Sequence, residues 1–157
     1  MTERNINIVY QEFSSLEELS ESDRELASNA IDAIAGSYAP YSQFNVGAAV
    51  RLKDGSIVRG ANQENAAFPS GLCAERTAMF SASATHPGVP MISIAIAAAQ
   101  DGKLCTSPAT PCGACRQVMA QYQLTAGENM SILLVGDSKI LKFSKVDDLL
   151  PLIFDNI

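Results

Sequence analysis

The sequence predicts an α/β protein of three layers, with helices covering both faces of one sheet. Two observations carry this expectation. Helical and strand patterns alternate along the chain, an order that packs helices on both sides of a sheet. The stretch "MISIAIAAA" at 91–99 is almost continuously apolar, as a central strand covered on both faces must be.

The elements follow in order. "SESDRELASNAIDAIAGSYAP" predicts a helix in which Ser22 and Glu25 form a capping box and Leu26, Ala27, Ala30, Ile31 and Ile34 recur at helical spacing. Gly36 suits a left-handed C-terminal position, and Pro40 prevents continuation. "FNVGAAVRLKDGSIVRGAN" reads as a hairpin around Asp54-Gly55, a pair that tolerates positive φ. "MSILLVG" at 130–136 predicts another strand, paired across Asp137-Ser138 with "KILKF". Helices are expected at roughly 73–85 and 113–123, and "VDDLLPLIF" as a short final helix ended by Pro151. With a right-handed crossover through 91–99, the helices at 73–85 and 113–123 share one side of the sheet and bring their N-termini together.

Composition narrows the function. A chain of 157 residues fits one domain, here 1–157, with a loosely attached N-terminus that could add a strand. No apolar run reaches the roughly 20 residues of a membrane helix. No secretory signal pattern opens the sequence, so a cytoplasmic, reducing location is the expectation. The net charge of −6 disfavours a nucleic-acid partner, whose binding needs Lys and Arg to displace counterions.

In a reducing compartment, close cysteines point to a metal or redox site rather than to disulfides. "GLCAERTAMF" and "ATPCGACRQV" supply Cys73, Cys112 and Cys115, three soft thiolates suited to zinc, each motif where a loop enters a helix. Helix N-termini favour thiolates through their partial positive charge. Three protein ligands leave a catalytic position open, whereas Cys105 as a fourth would close a structural site.

Glu75, two residues beyond Cys73, can aim a carboxylate at the open position without coordinating, as a group that takes and returns a proton must. C-A-E followed by P-C-G-A-C has the form of a zinc-deaminase signature. Arg76 can offset the net negative charge of three thiolates on a divalent ion. Singly, Glu75 reads as a solvated first-turn acid, Arg76 as a surface residue, and a lone CxxC as a structural or redox site. Their conjunction is what points to catalysis. His86, the only histidine, sits in a turn, and Cys105 is taken as passive.

With these residues in hand, the chain resembles the small cytidine deaminases from about residue 22 to 154. The resemblance rests on "YAPYSQFNVGAAV", "GANQENAAFPSGLCAERTA" and "PCGACRQVM". It implies a mixed five-stranded sheet, a homotetramer, and hydrolysis of cytidine and deoxycytidine to the uridines in pyrimidine salvage. It also implies one Zn2+ per chain on Cys73, Cys112 and Cys115, with Glu75 as proton shuttle. By the same resemblance Asn62 and Glu64 hold the ribose 3′-hydroxyl, Phe44 lies beside the pyrimidine, and Ala66 and Ala74 offer backbone groups. Phe154 would reach a neighbouring subunit's site.

Residues 1–20 lie outside the resemblance. Phe68 stands where the family commonly has Tyr, Thr110 replaces a Ser, and the loop "DGKLCTSPAT" is longer than usual. Three alternatives remain at this stage. One is a same-fold deaminase of another substrate, such as a blasticidin-type antibiotic, although Asn62 and Glu64 favour a ribose. A nucleic-acid base editor would need a basic groove to hold the strand, and typically has His as first ligand where this chain has Cys73. A zinc-stabilised binding protein would use Cys105 as fourth ligand.

Overall fold

The computed structural model describes residues 1–155. Seven strands form one mixed sheet: β1 (Tyr10–Phe13), β2 (Phe44–Leu52), β3 (Ile57–Ala61), β4 (Met91–Gln100), β5 (Lys103–Leu104), β6 (Ser131–Val135) and β7 (Ile140–Phe143). Their spatial order is β1-β7-β6-β4-β2-β3, with β5 paired to β4. All pairs are antiparallel except β4 with β6. Three α-helices accompany the sheet: α1 (Glu21–Ala33), α2 (Ala74–Thr85) and α3 (Gly113–Ala126).

The three-layer expectation holds. Leu26, Ala27 and Ala30 of α1 pack with Ala49, Ala95, Ala97 and Leu133 on one face. On the other face, Ala78 and Met79 of α2 and Met119 of α3 pack with Val50, Ile94, Ile96 and Ile132. β4 is buried from Ile94 to Ala99 because it has helices on both sides, which explains its unbroken apolar run.

The sheet has seven strands rather than five. β1 adds an edge to β7, its Tyr10 ring 5.3 Å from the Phe143 ring. At the other added strand, Asp101 (φ 51°) and Gly102 (φ 74°) turn the chain back so that β5 pairs with the end of β4. The start of α1 also differs from expectation. Ser20 is the cap, its hydroxyl accepting from Asp23 N at 3.2 Å, while Ser22 instead meets Arg51. Gly36 is not left-handed; α1 tapers through a 3₁₀ turn at Ile34–Gly36. Gly127 (φ 67°) ends α3 three residues beyond the expected limit, and the final segment forms a 3₁₀ turn at Val146–Asp148 rather than a helix.

Two connections position the functional region. β3 leads into α2 and β4 into α3, so both helices begin beyond the carboxyl ends of their strands, on the same face. Close packing on the opposite face fixes β2. A Cβ added at Gly47 would press into the Ala30 carbonyl and lie 2.6 Å from Ile34 N, both backbone atoms of the α1 segment. Among the described residues, no helix is long and apolar enough to cross a membrane.

Because neither backbone can yield cheaply, Gly47→Ala is expected to destabilise the fold by about 1–3 kcal/mol. The shift of its urea unfolding midpoint at constant slope checks this.

Candidate metal centre

The first wall of the site is made by two helix starts. Cys73 is the N-cap of α2 and Cys112 the N-cap of α3, and neither receives a side-chain cap. The sulfurs thus lie at the positive ends of two helix dipoles. Cys115, one turn into α3, is buried, Cys73 is half-buried and Cys112 is exposed. Their sulfurs are 3.8 Å apart for Cys73–Cys112 and 3.5 Å for Cys112–Cys115, and all three lie within 4.8 Å of one another.

A tetrahedral zinc with Zn–S bonds of about 2.3 Å requires sulfur separations of about 3.8 Å, so the cluster fits the ion. Cys105 stands outside it, at the end of β5. Its N–H donates to Ala98 O and its carbonyl accepts from Asp137 N, each at 2.9 Å. Three ligands, with no fourth among the described residues, is the donor set of a zinc site with an open position.

The groups around the sulfurs are arranged by the same helix. Arg76 places Nη2 3.9 Å from Cys73 Sγ, and its buried Nε has no hydrogen-bond partner. The Cys115 thiol and Arg76 lower the pKa of Cys73, while contact with that thiolate and burial raise that of Cys115. Glu75 is only 5% exposed, and burial above all, with the Cys73 charge, raises its pKa. A carboxyl moved toward neutrality suits proton transfer in both directions.

Opposite the sulfurs opens a cleft of about 710 Å³, within the size range of small-molecule sites. Phe44, Asn62, Glu64 and Ala74 line it together with Cys73, Cys112, Glu75 and Arg76. Asn62 is already deeply engaged in the fold. Its Oδ1 accepts from Ser37 Oγ (2.6 Å) and Val46 N (2.8 Å), and its Nδ2 donates to Phe44 O (2.9 Å). One amide hydrogen remains for a ligand.

Ala66 does not line the cleft, and Phe154, expected at a neighbouring subunit's site, does not line this one. Ala66 is exposed, in a turn where Asn65 Oδ1 accepts from Ala67 N at 2.8 Å, while its neighbour Asn65 lines the cleft. Phe154 is 68% exposed, and its carbonyl accepts from Gln117 Nε2 at 2.8 Å.

Residue-by-residue inspection of the sequence missed several contributors. Tyr41, Ser42, Val46, Leu72 and Ile96 also line the cleft. Tyr41 meets Phe68 edge-on at 5.9 Å. Arg116 clamps the approach to Cys112 by donating to Pro111 O and Leu149 O, both at 2.8 Å. Arg116 directly follows Cys115, and nothing in its local pattern announces partners 33 residues away.

Residues 20–127 match the family model described as the cytidine and deoxycytidylate deaminase zinc-binding region. The chain belongs to this family. It is a deaminase, and the family's zinc-binding region together with the three-cysteine cluster supports one zinc ion per chain.

Among curated relatives, the cytidine deaminase of Halalkalibacterium halodurans is 52% identical over 63% of this chain and 71% of its own length. That of Sporosarcina psychrophila is 40% identical over 73% of this chain and 77% of its own. The crystal structure of cytidine deaminase from Burkholderia pseudomallei superposes with a TM-score of 0.70 at 36% identity. It covers 87% of this chain and all of its own. The Mycobacterium tuberculosis enzyme gives 0.65 at 34% identity, over 83% of this chain and 95% of its own.

Two outcomes are expected from zinc quantification and chelator competition. Cys112→Ser weakens zinc binding by more than the roughly 100-fold typical of outer-sphere changes, whereas Cys105→Ser keeps its zinc. Arg76→Ala, which removes the cation beside the sulfurs, lowers zinc affinity by about 10–100-fold and removes most activity.

Proposed function

We propose that the protein deaminates cytidine and deoxycytidine by hydrolysis, in pyrimidine salvage. The observation that carries this is the joint placement of three sulfurs at zinc spacing, a buried Glu75 beside them, and a cleft wall of Phe44, Asn62 and Glu64 facing both. Cys73, Cys112 and Cys115 hold the zinc, which when bound acts as a Lewis acid that makes water nucleophilic near neutral pH.

Glu75 takes the proton from the water as it attacks the ring carbon bearing the amino group. Its carboxyl then passes that proton to the ring nitrogen, takes the remaining proton of the hydroxyl added to the ring carbon, and delivers it to the departing amine. A C–O bond forms, the C–N bond breaks and ammonia leaves. Burial of Glu75 strips competing water from the carboxyl and keeps it aligned. Ala74, fully buried at the start of α2, offers its backbone to the base.

The second wall binds the rest of the nucleoside. The Phe44 ring provides an apolar surface beside the pyrimidine. Glu64 and the free amide hydrogen of Asn62 engage the sugar, which favours a nucleoside over a sugarless substrate. The exposed Phe154 fits a role at a neighbouring subunit's cleft within a homotetramer. The chain acts as one domain in the cytoplasm, with residues 1–20 an extension of the family pattern that adds β1 to the sheet.

Loss of absorbance on adding cytidine tests the proposal directly. Wild type is expected to turn over, and Glu75→Ala to keep its zinc while losing about 100- to 10,000-fold in kcat. A zinc-loaded wild type inert toward cytidine would overturn the substrate assignment.

A further inference from the structure

We propose that Ser42 is a positioning residue that ties the sugar side of the cleft to the base side and leaves Glu64 one free acceptor for one sugar hydroxyl. This rests on the assignment of Glu64 to the sugar and Phe44 to the base. The geometry lies in a turn that precedes β2. Glu64 Oε2 accepts from the backbone N–H of Tyr41 at 2.9 Å and of Ser42 at 3.2 Å. The Ser42 hydroxyl donates its only proton to Glu64 Oε1. The same hydroxyl oxygen accepts from Phe44 N at 3.1 Å. One side chain thus links the carboxylate on the sugar side to the residue that forms the base wall.

Counting lone pairs gives the consequence. A carboxylate offers about four acceptor sites, of which the turn takes three. The fourth remains on Oε1, at the cleft. Glu64 can therefore read one sugar hydroxyl rather than a pair. The bond from Ser42, followed by those from the backbone of the turn, also holds the Glu64 pKa below its ordinary value, so the acceptor stays ionised.

The turn is fastened both within itself and to the loop that carries Glu64. Gln43 has φ 56°, a left-handed conformation that residues with side chains seldom adopt. Its N–H donates to Ala39 O at 3.1 Å and its Nε2 to Pro40 O at 2.9 Å, but only Glu64 anchors the turn to the opposite loop among these bonds. Without the Ser42 hydroxyl, Oε1 gains a second free site and loses its fixed orientation relative to Phe44.

The test compares cytidine with dideoxycytidine, whose sugar lacks both ring hydroxyls, in wild type and in Ser42→Ala, Ser42→Thr and Glu64→Gln. Where dideoxycytidine turns over slowly, its affinity comes from competition against cytidine. Ser42→Ala is expected to lower kcat/KM for cytidine by about 10-fold, the loss of one hydrogen bond to a charged group, and to change dideoxycytidine by less than about 2-fold. Ser42→Thr, which keeps the hydroxyl, restores cytidine to within about 3-fold of wild type. Should Ser42→Ala not fold, Ser42→Cys, a weak donor of similar size, is expected to shift the substrate ratio in the same direction.

A role confined to folding would depress both substrates alike, and that outcome overturns the inference. Glu64→Gln separates the two levels. If it changes the substrate ratio while Ser42→Ala does not, the Ser42 inference alone fails. If neither changes it, Glu64 does not read the sugar, and the assignment beneath the inference fails.

Discussion

Three sulfurs must be held less than 5 Å apart while all three carry or share negative charge, and the rest of the site depends on that constraint. Two helix N-termini meet it. α2 and α3 start beyond the carboxyl ends of β3 and β4 on one face of the sheet, so the positive ends of their dipoles converge where the thiolates gather. Arg76 adds a cation from the first turn of α2, and Arg116 fixes the approach to Cys112 through two backbone carbonyls. The same turn of α2 that supplies Cys73 buries Glu75 at the edge of the cleft. Sulfur, cation and carboxyl are thus positioned by one helix start.

The opposite wall is built on a different logic. Its functional groups are hydrogen-bonded into the fold before any ligand arrives. Asn62 spends three of its bonds joining Ser37, Phe44 and Val46, and Glu64 spends three on the turn at Tyr41 and Ser42. Groups restrained in this way lose little freedom on binding, which is how a small cleft gains specificity without many contacts. What remains free on each side chain, one hydrogen and one acceptor site, sets what a ligand can be offered.

Much of the fold was legible because its signals are local. The apolar run at 91–99, the Asp54-Gly55 turn and the spacing of Leu26, Ala27 and Ala30 each report their own element. Signals that depended on choosing among neighbouring candidates were less secure. Ser22 with Glu25 has the pattern of a capping box, but Ser20 caps α1, and Ser22 lies inside its first turn and meets Arg51 of β2, a partner 29 residues distant. Of the two extra strands, the N-terminal one was foreseen only as a possible addition and β5 not at all, for a similar reason. β1 has no core of its own and exists through β7, and β5 is only two residues long.

The sequence by itself determined the chemistry. A Cys-Ala-Glu-Arg start and a CxxC start can be recognised from residue types and spacing, because each lies within one helical turn. Tertiary structure decided which groups share the cleft. It excluded Cys105 from the sulfur cluster, left Ala66 out of the cleft lining, and brought Ser42 to Glu64 across 22 residues of chain. The physical reason is the range of the forces. Helix starts and turns are set by bonds between near neighbours, whereas the meeting of two loops depends on the whole sheet that holds them.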